Sequence, residues 1–328
     1  MLILFTVFVV AGLFALVGFL VWLTARLLRK PVRGRALLKS TGIAFLLFLP
    51  LLFFLISPLL LASLIANAST RPQDRELTAT PADYGREYRD VQFPSRDGLT
   101  LSGWYLEGED KRFAVILCHG LFRNRQEVLE RACALNRSGY PALLFDFRSH
   151  GESEPKYVSL GYQERLDVLG ACDFLRKTEK EDHPVLFGVS MGAVAAIHAA
   201  AELQSRPSAI IADSPFASLD ETVARHVTLF LGLPAFPFAN VFIWNLTRMS
   251  GFDGTRLNTE QALRGLQPVP ILLLYGEHDP RMPESMARQL FKAIPHQSKQ
   301  LVFLEGAGHA PYTSDPDRYL KTVLKFLD

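Results

Sequence analysis

Two long uncharged stretches open the chain, and short apolar runs alternating with amphipathic segments follow them. The uncharged stretches cover residues 1–25 and 40–70, and the basic segment 26–39 between them contains six Lys or Arg and no acid. About 20 apolar residues in a helix cross a bilayer core of roughly 30 Å, so each stretch is long enough to span a membrane. The pattern predicts a two-helix transmembrane hairpin anchor over residues 1–70.

The basic segment also predicts the orientation of this anchor. Cytoplasmic loops of membrane proteins are enriched in Lys and Arg, which places the basic segment inside and both chain ends outside. The sequence therefore predicts a multi-pass membrane protein whose main domain is extracytoplasmic. The alternative is a cleavable signal peptide, because Ala66 and Ala68 in "ANAS" fit a small-residue cleavage pattern. Both apolar runs are longer than the roughly 7–15 residues of a signal core, which favours the anchor.

A regular alternation of strand and helix patterns fills the rest of the chain. The polar segment 71–87 contains two prolines and indicates a linker. Two alternating segments then flank Asp97-Gly98, which is a hairpin signal. Continuous apolar runs such as "FAVILCHG" (113–120) are typical of strands buried on both faces, and segments of helical spacing separate them. Residues 88–328 are thus predicted to form an α/β domain with a mostly parallel sheet covered by helices on both faces.

The stretch "VLFGVSMGAVAA" (185–196) carries the first sign of chemistry. It contains the pattern G-x-S-x-G, in which Ser190 stands between Gly188 and Gly192. This pattern describes a nucleophilic serine at a sharp turn from a strand into a helix. The short pattern also arises by chance, but here it lies between a predicted strand and a predicted helix. That context makes it a strong indication of a nucleophile.

Two later strands lead to the residues that a nucleophilic serine needs. The strand at 270–276 leads to Asp279, and the last strand leads to His309. A serine hydroxyl is a poor nucleophile unless a base accepts its proton, and the base needs a carboxylate to orient it. Groups at the carboxyl ends of parallel strands gather at one edge of the sheet, so we expect these three residues to meet. Asp213, which ends the preceding strand, is the alternative acid.

These motifs make residues 88–328 resemble the α/β-hydrolase superfamily and its membrane-anchored serine hydrolases. The resemblance is carried by "GVSMG", "GEHDPRMP" around Asp279, "GAGH" before His309, "HG" at 119–120, and the loops "DFRSHGES" and "DSPFAS". It implies an α/β-hydrolase fold with an inserted lid at about 219–266. The loop after Gly120 reads "LFRN", which lacks the further glycines of the HGGG lipases and esterases.

The resemblance also implies a role for each site residue. Ser190 attacks a carbonyl, His309 accepts and returns the proton, and Asp279 orients the imidazole. The developing oxyanion needs two preorganised donors, which we assign to the backbone N–H groups of Leu121 and Met191.

Other histidines, arginines and cysteines near these motifs are interpreted as structural. His119 and Gly120 are expected to shape the loop that carries Leu121. Arg148 and His150 are expected to form a supporting network. The three cysteines, Cys118, Cys133 and Cys172, form no disulfide framework and are predicted to be small buried hydrophobes.

The inserted segment bears on the substrate. Its aromatic-rich part, "LFLGLPAFPFANVFIWNL" (229–246), is typical either of an apolar pocket for an acyl chain or of contact with the core or the bilayer. The sequence predicts a membrane-anchored serine hydrolase that cleaves carboxylic ester or thioester bonds of acyl or lipid-like substrates. No cofactor or metal is expected, and the net charge of +2 does not indicate a nucleic-acid partner. A serine peptidase of the same fold and a non-enzymatic membrane scaffold are the alternatives.

Overall fold

The computed structural model divides the chain into two compact units, Met1–Leu60 and Leu61–Asp328, which are described separately. It describes residues 53–109, 113–203 and 205–328, together with Gly18, Phe19, Trp22, Leu23, Arg26, Leu46 and Leu49. Within these residues, no helix combines the length and the apolar character needed to cross a bilayer. Most of the first predicted transmembrane helix, and most of the second before residue 53, lies outside the described residues.

The second unit is built on one eight-stranded sheet with the strand order β1-β2-β4-β3-β5-β6-β7-β8. β1 pairs antiparallel with β2, β2 pairs antiparallel with β4, and the remaining neighbours are parallel. The predicted leading hairpin and mostly parallel sheet are therefore confirmed. The strands are β1 Arg89–Pro94, β2 Thr100–Leu106, β3 Val115–Cys118, β4 Ala142–Phe145, β5 Val185–Val189, β6 Ala209–Asp213, β7 Ile271–Gly276 and β8 Lys299–Leu304.

Helices connect the parallel strands. The unit opens with the helical residues 61–66, here called α1. The other α-helices are α2 Leu129–Arg137, α3 Glu164–Thr178, α4 Met191–Glu202, α5 Leu219–Leu231, α6 Ala235–Ser250, α7 Thr259–Gly265, α8 Glu284–Ala293 and α9 Pro316–Leu327. Short 3-10 helices cover Pro72–Asp74, Pro81–Tyr84, Arg125–Val128, Gly254–Arg256 and Pro311–Thr313.

The core lies between the sheet and the helices on each side of it. Successive side chains of a strand point to opposite faces, so a strand buried on both faces must be apolar throughout. In β3, Val115 and Leu117 pack in one cluster with residues of α2 and α9. The intervening Ile116 is also fully buried. The helices α3, α4, α7 and α8 form a second contacting group.

The segment predicted as a linker packs on the second unit. The N–H of Arg71 donates to the carbonyl of Phe122 at 3.0 Å, and the guanidinium of Arg123 pairs with Asp74 at 2.9 Å. Pro81 is buried. These contacts tie the segment to the loop after β3, so it is part of the compact unit, which begins at Leu61.

Candidate active site

Ser190 lies in a tight turn between β5 and α4. Its backbone has φ 52° and ψ −114°, a strained conformation for a residue with a side chain. Its N–H donates to the carbonyl of Asp213 at 2.7 Å. A Cβ on Gly188 would lie 2.3 Å from the Gly192 oxygen, and one on Gly192 would lie 2.4 Å from the Cys118 oxygen. Only glycine fits at these two positions, and the close packing holds the serine at the carboxyl end of the sheet.

The structure brings Ser190, His309 and Asp279 together in one hydrogen-bonded line. The Ser190 Oγ is 3.0 Å from His309 Nε2, and His309 Nδ1 is 2.7 Å from Asp279 Oδ2. The other oxygen of Asp279 accepts the N–H groups of Arg281 and Met282 at 2.8 and 3.1 Å. Both oxygens of this buried carboxylate are therefore engaged. With the Nδ1 proton directed to Asp279, the Nε2 lone pair faces the serine hydroxyl, as a general base requires.

Asp213 makes no hydrogen bond to His309. Its side chain accepts the Tyr319 hydroxyl at 2.8 Å and the Ser214 hydroxyl at 2.9 Å, and burial raises its pKa. The Ser214 oxygen in turn accepts the N–H of Ala310 at 3.3 Å, directly after His309. Asp213 thus supports the serine through its carbonyl and the histidine loop through Ser214, while Asp279 is the carboxylate beside the imidazole.

Three successive amides of the loop after β3 have different surroundings. The N–H of Gly120 donates to Glu127 Oε2 at 2.6 Å, and the N–H of Phe122 donates to His150 Nε2 at 3.3 Å. Between them, the N–H of Leu121 has no acceptor among the described residues. A Cβ built on Gly120 would lie 3.7 Å from the Cβ of Ser190, so the loop runs beside the serine.

Met191 offers a second unengaged amide. It is the first residue of α4, where a backbone N–H has no partner within its own helix. Among the residues that the structure describes, the Met191 N–H has no acceptor outside the helix either. The helix dipole adds partial positive charge at this end. Leu121 and Met191 therefore present two amides that are available to an oxygen anion.

Two buried histidines hold the loop after β3. His119 Nδ1 is 2.7 Å from the Gly120 carbonyl, and its Nε2 accepts the N–H of Phe147 at 3.0 Å. His150 Nδ1 is 2.9 Å from the Arg148 carbonyl, while its Nε2 accepts the Phe122 amide. Burial lowers the pKa of His119 to about 4, and burial together with the neighbouring His119 lowers the pKa of His150 to about 4. Both rings are neutral near pH 7, so they act as hydrogen-bonding groups within the loop.

Glu127 is a site residue that the sequence did not indicate. Its Oε2 accepts the Gly120 amide, and its Oε1 lies 3.2 Å from Arg123 Nε. Burial raises the pKa of this carboxyl. Glu127 belongs to no recognisable sequence motif. It lies seven residues after Gly120, in the short 3-10 helix that precedes α2, and this spacing alone does not predict the contact.

The predicted supporting network and the cysteines agree with the structure. The Arg148 guanidinium pairs with the buried Asp167 at 2.6 Å and with Asp97 at 2.8 Å. This contact joins the loop after β4 to α3 and to the β1–β2 turn. The three cysteines are free and buried, as predicted.

Comparison with known protein families identifies the family to which this chain belongs. The profile of the Alpha/beta hydrolase family matches residues 115–322, which include the serine, the histidine and both aspartates described above. The chain belongs to the alpha/beta hydrolase family. The predicted superfamily and the predicted enzyme class, a hydrolase, are thereby confirmed.

The chain is also similar to individual proteins and to a solved structure. The YqkD protein of Bacillus subtilis is 29% identical over 240 residues, covering 72% of this chain and 77% of that protein. The lysophosphatidylserine lipase ABHD12 of Mus musculus is 27% identical over 258 residues, covering 70% of this chain and 60% of the lipase. The structure of an esterase from Pyrococcus furiosus superposes with a TM-score of 0.65 at 28% identity, covering 79% of this chain and 97% of the esterase.

Proposed function

We propose that this alpha/beta hydrolase is a serine hydrolase that cleaves carboxylic ester or thioester bonds of acyl or lipid-like substrates. The observation that carries the proposal is the hydrogen-bonded line from Asp279 through His309 to the Ser190 hydroxyl. The esterase and lipase activities in the names of the two relatives favour an ester over a peptide bond.

The reaction follows from the positions of these groups. The Ser190 Oγ attacks the substrate carbonyl carbon while His309 Nε2 takes the hydroxyl proton, and Asp279 stabilises the resulting imidazolium. The carbonyl oxygen becomes an oxyanion and accepts the N–H groups of Leu121 and Met191. The imidazolium then protonates the leaving alcohol or thiol as its bond to carbon breaks, which leaves an acyl-enzyme. Water then attacks this ester while His309 Nε2 takes its proton, and the imidazolium returns that proton to the Ser190 Oγ as the bond from the acyl carbon to Oγ breaks, which releases the acid and the free serine.

The segment between β6 and β7 is proposed as the lid that accommodates the acyl part of the substrate. It contains α5, α6 and α7 and covers about 219–266, after the strand that ends beside the serine. The side chain of Arg225 on α5 donates to the carbonyl of Pro280, next to Asp279, at 2.9 Å. Because this contact joins α5 to the acid loop, the lid helix is held close to the catalytic residues.

We further propose that residues 1–70 anchor the enzyme in a membrane as a two-helix hairpin, with the hydrolase domain outside the cytoplasm. Two uncharged runs with a basic segment between them support this arrangement. A reporter that functions only in the cytoplasm, fused after Asp328, is expected to be inactive. An active reporter would reverse the orientation.

The proposed activity is tested with nitrophenyl esters of increasing chain length and a matched aminoacyl amide. We compare wild type, Ser190→Ala and Ser298→Ala, the last being an exposed serine directly before β8, at the other end of the sheet. Loss of the nucleophile is expected to lower kcat by about 10⁴-fold or more, while Ser298→Ala keeps wild-type activity. Equal ester hydrolysis by both variants would exclude Ser190 as the nucleophile. Cleavage of the amide alone would indicate the peptidase alternative.

A further inference from the structure

The α5–α6 pair exposes an unusual number of large apolar side chains. Five of them leave between 40% and 76% of their surface accessible: Leu229, Phe230, Leu231, Phe236 and Trp244. We call these five residues the cap face. Single exposed apolar residues are ordinary, but several on one helix pair mark a surface that contacts another apolar phase or molecule.

The charged residues in the segment that carries the cap face are all basic. Residues 222–252 contain two arginines and no acid. The guanidinium of Arg248 stands 5.5 Å from the centre of the Trp244 ring, and that of Arg281 stands 5.4 Å from the centre of the Phe230 ring. Aromatic rings beside arginines match the boundary of a bilayer, where rings enter the acyl region and guanidinium groups meet lipid phosphates.

The second uncharged run of the sequence, residues 40–70, contacts α6 near its end. Ser63, in α1, accepts a hydrogen bond from the Asn245 side chain at 3.2 Å and lies 3.4 Å from the sulfur of Met249. Both partners are on α6, which also carries Trp244. The neighbouring Leu64 is exposed. The end of the proposed anchor is thus joined to the helix that presents the cap face.

We propose that the cap face docks on the surface of a lipid bilayer, so that an acyl substrate reaches Ser190 from the lipid side. The proposal rests on the proposed function, because it assumes that the anchored chain acts on acyl substrates. The α5 helix connects the two regions: it carries Phe230 in the cap face and, through Arg225, contacts the loop of Asp279. A bilayer surface fits the apolar, acid-free composition of the face and its continuity with the proposed anchor.

Tryptophan fluorescence offers a direct test, because the chain has only three tryptophans, Trp22, Trp104 and Trp244. Full-length Trp22→Phe is reconstituted in phosphatidylcholine vesicles with or without brominated acyl chains, which quench indole emission on contact. Trp104 is buried in the core and serves as the internal reference. We expect brominated lipid to reduce the emission of Trp22→Phe and this loss to disappear in Trp22→Phe/Trp244→Phe.

A second exposed position provides the matched control. Ser298 is also exposed, and it lies at the opposite end of the sheet from Ser190 and outside the cap face. In the Trp22→Phe/Trp244→Phe background, Ser298→Trp is expected to be unaffected by brominated lipid. The proposal is overturned if Trp244 emission is insensitive to the lipid, whether the cap face is then in water or covered by a second copy of the chain. Equal quenching at positions 298 and 244 would overturn it as well.

Failure of the docking proposal can be told apart from failure of the proposed function. Hydrolysis of a short, water-soluble ester is measured on the same Trp22→Phe preparation. Hydrolysis with an unquenched Trp244 rejects only the docking. Absence of hydrolysis, with folding verified by circular dichroism, rejects the proposed function instead.

Discussion

The carboxylate of Glu127 accepts the N–H of Gly120 at 2.6 Å, in the loop that runs beside Ser190. His150 accepts the N–H two residues further on. These two contacts hold the 119–120 and 121–122 peptide groups, which flank the 120–121 peptide group that carries the Leu121 N–H. The Leu121 N–H itself has no acceptor among the residues described. In the proposed reaction, a donor held in this way needs no reorganisation when the oxyanion forms, which is the property that makes an oxyanion site effective.

Glu127→Ala is therefore expected to slow the chemical step. The Gly120 amide loses its acceptor and the loop relaxes, so we expect kcat to fall about tenfold or more while KM changes little, because the lost contact matters only in the transition state. Glu127→Gln keeps an acceptor oxygen and should recover most of the rate. Steady-state kinetics on a soluble ester measure both. A change confined to KM would show that Glu127 affects substrate binding instead.

The two candidate acids should differ sharply in their contribution to the rate. Asp279→Asn removes the charge that orients and stabilises the His309 imidazolium, and kcat should fall about 10⁴-fold. Asp213→Asn leaves that contact intact and disturbs only the Tyr319 and Ser214 hydrogen bonds, so a loss below about tenfold is expected. Both rates are measured at pH 8 on variants that melt cooperatively. The reverse order would make Asp213 the functional acid.

The neutral state of His150 predicts a specific pH dependence of stability. Its pKa of about 4 in the folded protein lies below the ordinary value of 6.5, so the unfolded chain takes up the proton first as the pH falls. The stabilising contribution of the neutral ring is complete above about pH 6.5 and is lost between that pH and about pH 4. His150→Gln can still accept the Phe122 amide but does not titrate.

This prediction is measured as a difference between two proteins, which cancels the titration of groups that do not interact with His150. Between pH 7 and pH 4, the free energy of unfolding of wild type should fall relative to His150→Gln by up to about 3 kcal/mol. Urea unfolding at a series of pH values gives both curves. Parallel curves would show that His150 has the same pKa in the folded and unfolded chain.

The packing at Gly192 predicts the effect of adding a single methyl group. A Cβ there would lie 2.4 Å from the Cys118 oxygen and 2.6 Å from the His119 oxygen, so the backbone must move. Gly192→Ala should cost about 2 kcal/mol or more and reduce activity. Gly265→Ala is the matched control, since a Cβ at that position would meet no atom within 4 Å, and it should change stability by less than about 0.5 kcal/mol. Similar losses in both variants would show that close packing does not set the requirement for glycine at position 192.

Much of the fold was predictable because its signals are local. The apolar runs predicted the strands, and the order of Ser190, Asp279 and His309 at strand ends predicted which side chains the structure brings together. The sequence favoured Asp279 but kept Asp213 as the alternative acid, because both follow a strand. Only the three-dimensional path of the chain puts one of them 2.7 Å from the imidazole.

The supporting contacts could not be predicted because they join residues without a shared pattern. Glu127 accepts the N–H of Gly120, seven residues earlier in the chain, and His150 accepts the N–H of Phe122, 28 residues earlier. The polar composition of 71–87 is typical of a linker, yet ion pairs such as Asp74–Arg123 attach it to the domain. Such contacts depend on the tertiary structure, which periodicity and composition do not describe.

Mapping of a covalent adduct tests whether Ser190 is an activated nucleophile. Wild type and Ser190→Ala are treated with a fluorophosphonate, and the modified peptide is identified by mass spectrometry. We expect one adduct on Ser190, none in Ser190→Ala, and a much slower reaction in Asp279→Asn. A folded wild-type protein that stays unmodified with small probes, or carries the adduct on another serine, would contradict the proposed role of Ser190.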